Sequence, residues 1–249
     1  MLTAGVDLAA EPKGTALAII EWKKTQATLV DLQLGVNDET IVEAAGVVDK
    51  LGIDCALGWP IEFVEFLNNH ANLKSTTFPD GGMDWRRRAS FRESDRHVRE
   101  VTGKWPLSVS TDRLGLTAMR CAGLQGRIQK SGIEIERSGS GKIVEIYPGA
   151  SLRLWGFDTA GYRANEGARA ELLTAIEHSA PWLNLGSNRE LMIRSTDAFD
   201  AVIASLATRA AAINQYLHPP KEFLDIAKVE GWIALPAGSI ADLLREFEY

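Results

Sequence analysis

The chain has 249 residues, of which 45% are hydrophobic and 24% charged, and its formal net charge at pH 7 is −6. This composition is typical of a folded globular protein. The negative net charge argues against a protein that coats nucleic acid non-specifically. No apolar run reaches the length of about 18 residues that a membrane-spanning helix needs, and the N-terminus lacks the pattern of a signal peptide. The two cysteines show no metal-ligand spacing, so a reduced, cytoplasmic protein without a membrane partner is expected.

The first part of the chain predicts three consecutive β-strands. The apolar run from Leu2 to Asp7 forms the first strand and carries a carboxylate at its C-terminal tip. A turn with Pro12 and Gly14 leads into a second strand, and residues 26–33 form a third. Connections this short favour an antiparallel meander.

A helix and a buried strand are predicted next. Asn37 or Asp38 is suited to cap a helix whose apolar residues recur at helical spacing as far as Leu51. Residues 52–57 then form a short apolar strand that also carries a carboxylate, Asp54. The intervening helix allows a parallel crossover that places this strand beside the first.

The segment 58–112 is irregular and predicts an insertion with short helices, too long for a simple connection and therefore of functional interest. Between Asp84 and Arg137 the chain has 12 Lys and Arg against 7 Asp and Glu, a net charge of +5. A basic centre on an acidic chain can mark the place where an anionic ligand binds. A solvated helical face explains any single basic run equally well.

Asp112 is expected to cap a helix that ends near Lys130, and residues 142–147 predict a fifth strand that contains Glu145. Residues 150–190 predict an interrupted helical insertion. The tail, from residue 230 onward, is expected to form a short strand and a terminal helix.

Residues 195–212 form the strongest helical pattern in the chain. Ser195 or Thr196 is suited to cap this helix, and Asp197 and Asp200 lie in its first turns, where the helix dipole favours acids. The helix body is mostly small and apolar, so most of its surface is expected to pack against the sheet.

This element order is that of the ribonuclease H-like fold. It predicts an α/β chain with a mixed five-stranded sheet of order 3-2-1-4-5, forming a single domain with insertions near 58–112 and 150–190. Neighbouring strand ends in such a sheet lie about 5 Å apart. Five acids would then approach one site: Asp7, Asp54, Glu145, Asp197 and Asp200.

Several carboxylates at one site repel one another unless a cation neutralises them, and Mg²⁺ or Mn²⁺ prefers such oxygen ligands. Two such ions about 4 Å apart can activate water and stabilise the leaving oxygen in phosphodiester hydrolysis. Each acid alone has a simpler explanation. Asp197 can be an ordinary N-terminal helix acid, and Glu145 could face the other side of its strand.

Two segments resemble RuvC-type Holliday-junction resolvases: the first hairpin, with Gly5-Val-Asp-Leu, and the helical motif Asp197-Ala-Phe-Asp. Over nearly the whole chain the sequence resembles the family of unknown function 429, described as predicted ribonuclease H-like nucleases. That resemblance rests on ordered segments at 5–7, 53–54, 91–95, 106–109, 144–148, 195–200 and 230–232.

The resemblance implies that Asp7, Asp54, Glu145 and Asp200 are catalytic metal ligands, with Asp197 a further candidate ligand. Asp7 would bridge two ions, and Asp54 and Asp200 would each complete one site. The sequence departs from the family after Asp54. The family commonly has a small residue and then proline there, whereas here Pro60 follows six positions later.

Three arginines of the central segment are spaced to share a helix face: Arg92, Arg96 and Arg99. Because arginine binds phosphate in a bidentate manner, these residues are candidates for contacts with a substrate. An internal ion-pair network with Glu93, Asp95 and Glu100 is an equal alternative.

The sequence therefore predicts a nuclease that depends on Mg²⁺ or Mn²⁺, with nucleic acid or a nucleotide as its partner. One alternative is an actin-like phosphotransferase or ATPase, in which the turn after Asp7 would cradle phosphate, although residues 56–59 make a poor second phosphate loop. Another alternative is a non-catalytic binding module of the same fold, whose acids lie too far apart to share an ion.

Overall fold

A computed structural model describes residues 1–74 and 82–245, and in this part of the chain a six-stranded sheet is combined with ten α-helices. The strands are β1 (Leu2–Asp7), β2 (Ala16–Trp22), β3 (Ala27–Leu34), β4 (Lys50–Asp54), β5 (Ile143–Glu145) and β6 (Leu183–Asn184). The helices are α1 (Asp38–Val47), α2 (Ile61–Ala71), α3 (Gly82–Ser90), α4 (Glu93–Thr102), α5 (Gly115–Lys130), α6 (Pro148–Leu154), α7 (Glu166–Ser179), α8 (Arg189–Arg194), α9 (Thr196–Ala212) and α10 (Leu224–Glu230).

The sheet order is β5-β4-β1-β2-β3-β6. Strands β1, β2 and β3 form the antiparallel meander, whereas β4 runs parallel to β1 and β5 runs parallel to β4. The predicted sheet of five strands is wrong, because β6 adds a sixth strand in parallel beside β3. Two residues are too few to give a periodic pattern, so this strand has no signature in the sequence.

Several predicted boundaries are corrected. Helix α1 ends at Val47 rather than near Leu51, because the residues from Lys50 onward pair with β1. Asp112 does not cap α5; its carboxylate accepts the backbone N–H of Ser108 at 2.7 Å. In the tail, Ile233 forms an isolated bridge to Glu145 in place of the expected strand.

The predicted insertions contain helices, as expected. Helices α2, α3 and α4 lie within 58–112, where residues 75–81 fall outside the described part of the chain. In the tail, a 3₁₀ helix at Ile240–Leu244 takes the place of the expected terminal helix, and residues 246–249 are likewise not described. No helix within the described ranges combines the length and the apolar character needed to cross a membrane.

The sheet has an apolar layer on each face. One layer is formed with α1 and α5, whose buried residues pack on Ala4, Val6 and Ile53. Helix α9 covers the other face and is buried along almost its whole length. Helices therefore cover both faces of the sheet. The C-terminal ends of the parallel strands β1 and β4 lie side by side at one end of it.

Two glycines allow α9 to lie directly on the sheet. Gly5 and Gly52 are register partners in β1 and β4. A Cβ at Gly5 would overlap the backbone of α9, lying 2.7 Å from the carbonyl carbon of Ala204. A Cβ at Gly52 would overlap the hydroxyl of Thr208. The missing side chains therefore set how closely the helix approaches the two strands.

A Gly5→Ala substitution is expected to lower the free energy of unfolding by about 3 kcal/mol or more, because the backbone of α9 must move to admit the methyl group. Urea unfolding followed by circular dichroism measures this loss. Gly46→Ala is the matched control, since that glycine lies in α1 with open space around it, and it should stabilise by up to about 1 kcal/mol. Equal stability of the two variants would contradict the proposed close contact.

Candidate functional site

Three aspartates meet where two strands and one helix come together. Asp7 ends β1 and Asp54 ends β4, and the two residues are direct partners in the parallel register. Asp200 lies in the second turn of α9 and is buried against the sheet. All three line one cavity of about 330 Å³, together with Asp197 and Glu145. The structure thus places all five predicted acids around a single cavity.

Burial and neighbouring negative charge raise the pKa values of the three aspartates. Burial raises the pKa of Asp7 to about 9, and the nearby charges of Asp54, Asp200 and Asp197 add to this effect. Burial and then the charge of Asp200 raise the pKa of Asp54 to about 8. For Asp200, burial outweighs the neighbouring Arg163 and the Tyr162 hydrogen bond, and its pKa rises to about 6. The site is therefore short of positive charge.

One arginine supplies the positive charge nearest to these aspartates. Arg163 Nη2 lies 3.3 Å from Asp200 Oδ2, and its charge lowers the pKa values of Asp7, Asp54 and Asp200. Tyr162 donates its hydroxyl to Asp200 Oδ1 at 3.0 Å and accepts a hydrogen bond from Arg163 Nε at 3.0 Å. The side chain of Arg163 is 52% exposed, so it can move away from the pair. Neither Tyr162 nor Arg163 is predicted from the sequence, because both lie in an irregular segment without periodicity.

The carboxylate of Glu145 forms a bidentate ion pair with a buried arginine, Arg92. Arg92 donates from Nη1 and Nη2 to the two carboxylate oxygens of Glu145, at 2.7 and 2.6 Å. It also donates from Nε and Nη2 to Asp95, and from Nη1 to the backbone oxygen of Glu230. All five N–H groups of the guanidinium are thereby used. Arg92 has no donor left for a substrate, and Glu145 is poorly placed to act as a metal ligand.

The same network joins three of the sequence segments that carried the family resemblance. The carboxylate of Glu230 accepts the backbone N–H of Ile61 at 2.8 Å and that of Glu93 at 3.0 Å. It therefore satisfies free N–H groups at the starts of α2 and α4. Gly231 has φ of 91°, and a Cβ there would lie 2.9 Å from Glu145 Oε2. Segments 91–95 and 144–148 contribute to the lining of the cavity, and segment 230–232 supports them through these hydrogen bonds.

The other two predicted arginines do not reach the cavity. Arg96 pairs with Glu93 at 2.6 Å, and Arg99 is exposed. Neither residue lines the cavity, as far as the described residues define it. The alternative of an internal ion-pair network therefore fits Arg92 and Arg96 better than contact with a substrate does.

The residue types fit a divalent cation, although a complete set of ligands is not in place. Among residues 1–74 and 82–245, no group of three or more His, Cys, Asp or Glu side chains is already arranged to hold a metal ion. The carboxylates nevertheless share a cavity, and the guanidinium of Arg163 neutralises one of them in the way a bound cation would. Mg²⁺ commonly takes only one or two protein carboxylates and completes its shell with water and substrate phosphates.

The fold and the carboxylate cavity define a mixed α/β protein with a cluster of acids at its strand tips. The family model described as protein of unknown function (DUF429) matches residues 5–223. This match covers most of the chain, so the protein belongs to that family. No curated protein and no solved structure matches the chain. Family membership therefore carries no established activity with it.

An Arg92→Gln substitution is expected to lower the free energy of unfolding by about 3–5 kcal/mol, because Glu145 and Asp95 would keep buried charges without a cation. Arg92→Lys should restore little, since an ammonium group cannot replace five planar donors. Denaturant unfolding tests both variants. Arg96→Gln removes a partly exposed pair and should cost less than about 1 kcal/mol. An Arg92→Gln protein as stable as the Arg96→Gln protein would rule out this structural role.

In EDTA, the free energy of unfolding is expected to fall as the pH rises from about 4 to about 9. The folded pKa of Asp7 is about 9, whereas an unfolded aspartate titrates at about 3.9. The folded state therefore holds more protons than the unfolded state across this range. Asp7→Asn should remove part of the fall and exceed the wild type by at least about 1 kcal/mol at pH 8. Unfolding curves measured at several pH values test this, and parallel profiles for the two proteins would contradict it.

Proposed function

We propose that this protein is a divalent-cation-dependent hydrolase of phosphodiester bonds, built on a ribonuclease H-like fold. The observation that carries the proposal is the meeting of Asp7, Asp54 and Asp200 around one cavity, where the charge of Asp200 raises the pKa values of both Asp7 and Asp54. Carboxylates in such an arrangement are stabilised by a hard cation. An acid cluster of this kind suits hydrolysis of a phosphate ester better than a chemistry that needs a nucleophilic side chain.

The strand arrangement supports the ribonuclease H-like assignment. An antiparallel meander of β1, β2 and β3 continues through parallel β4 and β5, and a long helix crosses the sheet beside the central strand β1. In this arrangement the ends of β1 and β4 lie at the same edge, under the first turns of α9. Strand β6 is an addition to this pattern.

The three aspartates would hold the cation, with the half-buried Asp197 beside them in the cavity lining. A bound Mg²⁺ or Mn²⁺ would supply Lewis-acid stabilisation of the phosphate and lower the pKa of a water molecule. Tyr162 orients the carboxylate of Asp200 through its hydrogen bond. Arg163 provides a positive charge close to the place where a phosphate would lie. Glu145 is left out of the ligand set and acts through Arg92 on the cavity wall.

An actin-like phosphate site receives less support from the turn after β1. Two of its backbone N–H groups are used internally, since Ala9 N–H donates to Thr15 Oγ1 and Gly14 N–H donates to the backbone oxygen of Glu11. Arg120 further holds this turn by donating to the backbone oxygen of Ala9 at 2.8 Å. A phosphate cradle needs such N–H groups pointing outward.

A non-catalytic binding module is the second candidate, and the ion pair between Arg163 and Asp200 favours it. In that case Arg163 is a permanent counter-ion, and its removal weakens the site. If a divalent cation belongs there, Arg163 competes with it, and Arg163→Gln should tighten binding of the cation. Whether Arg163→Gln strengthens or weakens binding at the site therefore separates the two candidates.

Calorimetric titration of Mn²⁺ and Mg²⁺ tests the proposed function. The wild type is expected to bind, and Asp7→Asn should weaken binding by about tenfold or more. Substitution of a residue that only hydrogen-bonds a metal ligand already lowers metal affinity by roughly 10–100-fold. Asp225→Asn is the control, because that carboxylate is 95% exposed on α10. The same proteins are then assayed for cleavage of DNA, RNA and nucleotides.

A site that needs substrate phosphates to complete it would bind metal only weakly by itself. The titration is therefore repeated with a single-stranded oligonucleotide present. Absence of both metal binding and cleavage in this second experiment would refute the hydrolase and leave the binding module.

A further inference from the structure

A second cavity lies directly beside the carboxylate cavity. It has a volume of about 240 Å³ and shares two wall residues, Tyr147 and Arg163, with its neighbour. Three cations line this second cavity: Lys104, Arg153 and Arg163. Its lining contains no Asp or Glu within the described ranges. We call it the basic cavity.

Arg153 is the unusual residue of the basic cavity. It lies in the last turn of α6, with its guanidinium 5.8 Å from the centre of the Tyr147 ring. Its Nε and Nη2 atoms are shielded from solvent and have no hydrogen-bond partner among residues 1–74 and 82–245. Buried polar groups in folded proteins are normally paired, and arginine in particular has five donors to satisfy. Arg92 uses every donor it has, so these unpaired groups of Arg153 call for an acceptor from outside the chain.

The arrangement of charges indicates what that acceptor is. Lys104 is exposed at the basic cavity, and Arg163 lies between this cavity and Asp200. A group that carries negative charge and several acceptor oxygens would satisfy all three cations at once. The volume suits a phosphate group with some water, since one water molecule occupies about 30 Å³ in the liquid.

We propose that the basic cavity binds a phosphate group of the substrate, adjacent to the phosphodiester that the aspartates would cleave. Its assignment to the substrate rests on the proposed function, whereas the phosphate site itself does not. The two adjoining cavities then bind groups of opposite charge. Acids on one side would hold a cation, and Lys104 and Arg153 on the other side hold an anion. Arg163 contacts both cavities and fixes the phosphate relative to Asp200.

The first experiment measures the phosphate site alone. Inorganic phosphate is added in EDTA, with ionic strength held constant by NaCl, and the melting temperature is recorded. The wild type is expected to gain stability with phosphate. Arg153→Gln should lose this gain, and Lys104→Gln should reduce it. Lys24→Gln is the matched control, because it removes one positive charge from the exposed β2–β3 turn, at the opposite sheet edge from Asp7.

The second experiment separates a substrate phosphate from a free one. Binding of a fluorescent single-stranded oligonucleotide is followed by anisotropy, and inorganic phosphate is then added as a competitor. Arg153→Gln should weaken oligonucleotide binding by about tenfold, as expected for loss of a charged hydrogen-bonding partner. Inorganic phosphate should displace the oligonucleotide from the wild type at lower concentration than from Lys104→Gln. Oligonucleotide binding unchanged in Arg153→Gln would overturn the assignment to the substrate.

The phosphate site itself fails if inorganic phosphate stabilises Arg153→Gln as much as it stabilises the wild type, or stabilises neither. If Arg153→Gln does not fold, Lys104→Gln is used as the test variant instead. Equal shifts of melting temperature with phosphate in Lys104→Gln and the wild type would then overturn the proposal. The EDTA experiment is independent of the metal titration. Absence of both metal binding and cleavage in the presence of the oligonucleotide, with phosphate binding retained in EDTA, would therefore refute the hydrolase and keep the phosphate site.

Discussion

The close contact between α9 and the two central strands determines where the acids lie. Gly5 and Gly52 remove the side chains that would hold the helix away from the sheet. Two hydrogen bonds fix the helix along the strand, because Thr3 donates to the backbone oxygen of Ser205 and Ser205 donates to that of Thr3, at 3.1 and 3.0 Å. The second turn of α9 consequently lies over the strand tips. The position of Asp200 beside the other aspartates is thus a consequence of backbone packing.

Two neighbouring groups of buried charge differ in how completely they are neutralised and hydrogen-bonded. In the first, Arg92 binds two carboxylates with all its donors, so charge and hydrogen bonding are both satisfied. In the second, the aspartates of the cavity share one half-exposed arginine and remain mutually repulsive. A protein selected only for stability would satisfy both groups equally well. Tolerated repulsion at one place, beside a fully satisfied network, is a common property of sites that are kept for binding or catalysis.

Features that depend on local pattern could be predicted from the sequence. The first strand with Asp7 at its tip and the Ser195-capped helix carrying Asp200 follow from apolar periodicity and capping residues, and both are confirmed. Side-chain pairing could not be predicted in this way. Arg92 and Glu145 are 53 residues apart, and the backbone oxygen of Glu230 lies 138 residues from Arg92. Arg163 and Arg153 could not be identified either, because Arg163 lies in an irregular segment and the role of Arg153 depends on how the end of α6 packs beside that segment.

The order of the elements along the chain also has a consequence for how the protein is made. Strand β1 is the third strand of the sheet, yet its hydrogen-bond partner Ser205 lies 202 residues further along the chain. Synthesis therefore completes the β1–β3 meander long before α9 emerges to cover its apolar face. Contacts of such high sequence separation are slow to form, and an uncovered sheet face is prone to association in the meantime. The nascent chain accordingly has a long interval in which the face of the sheet that α9 later covers is exposed to solvent.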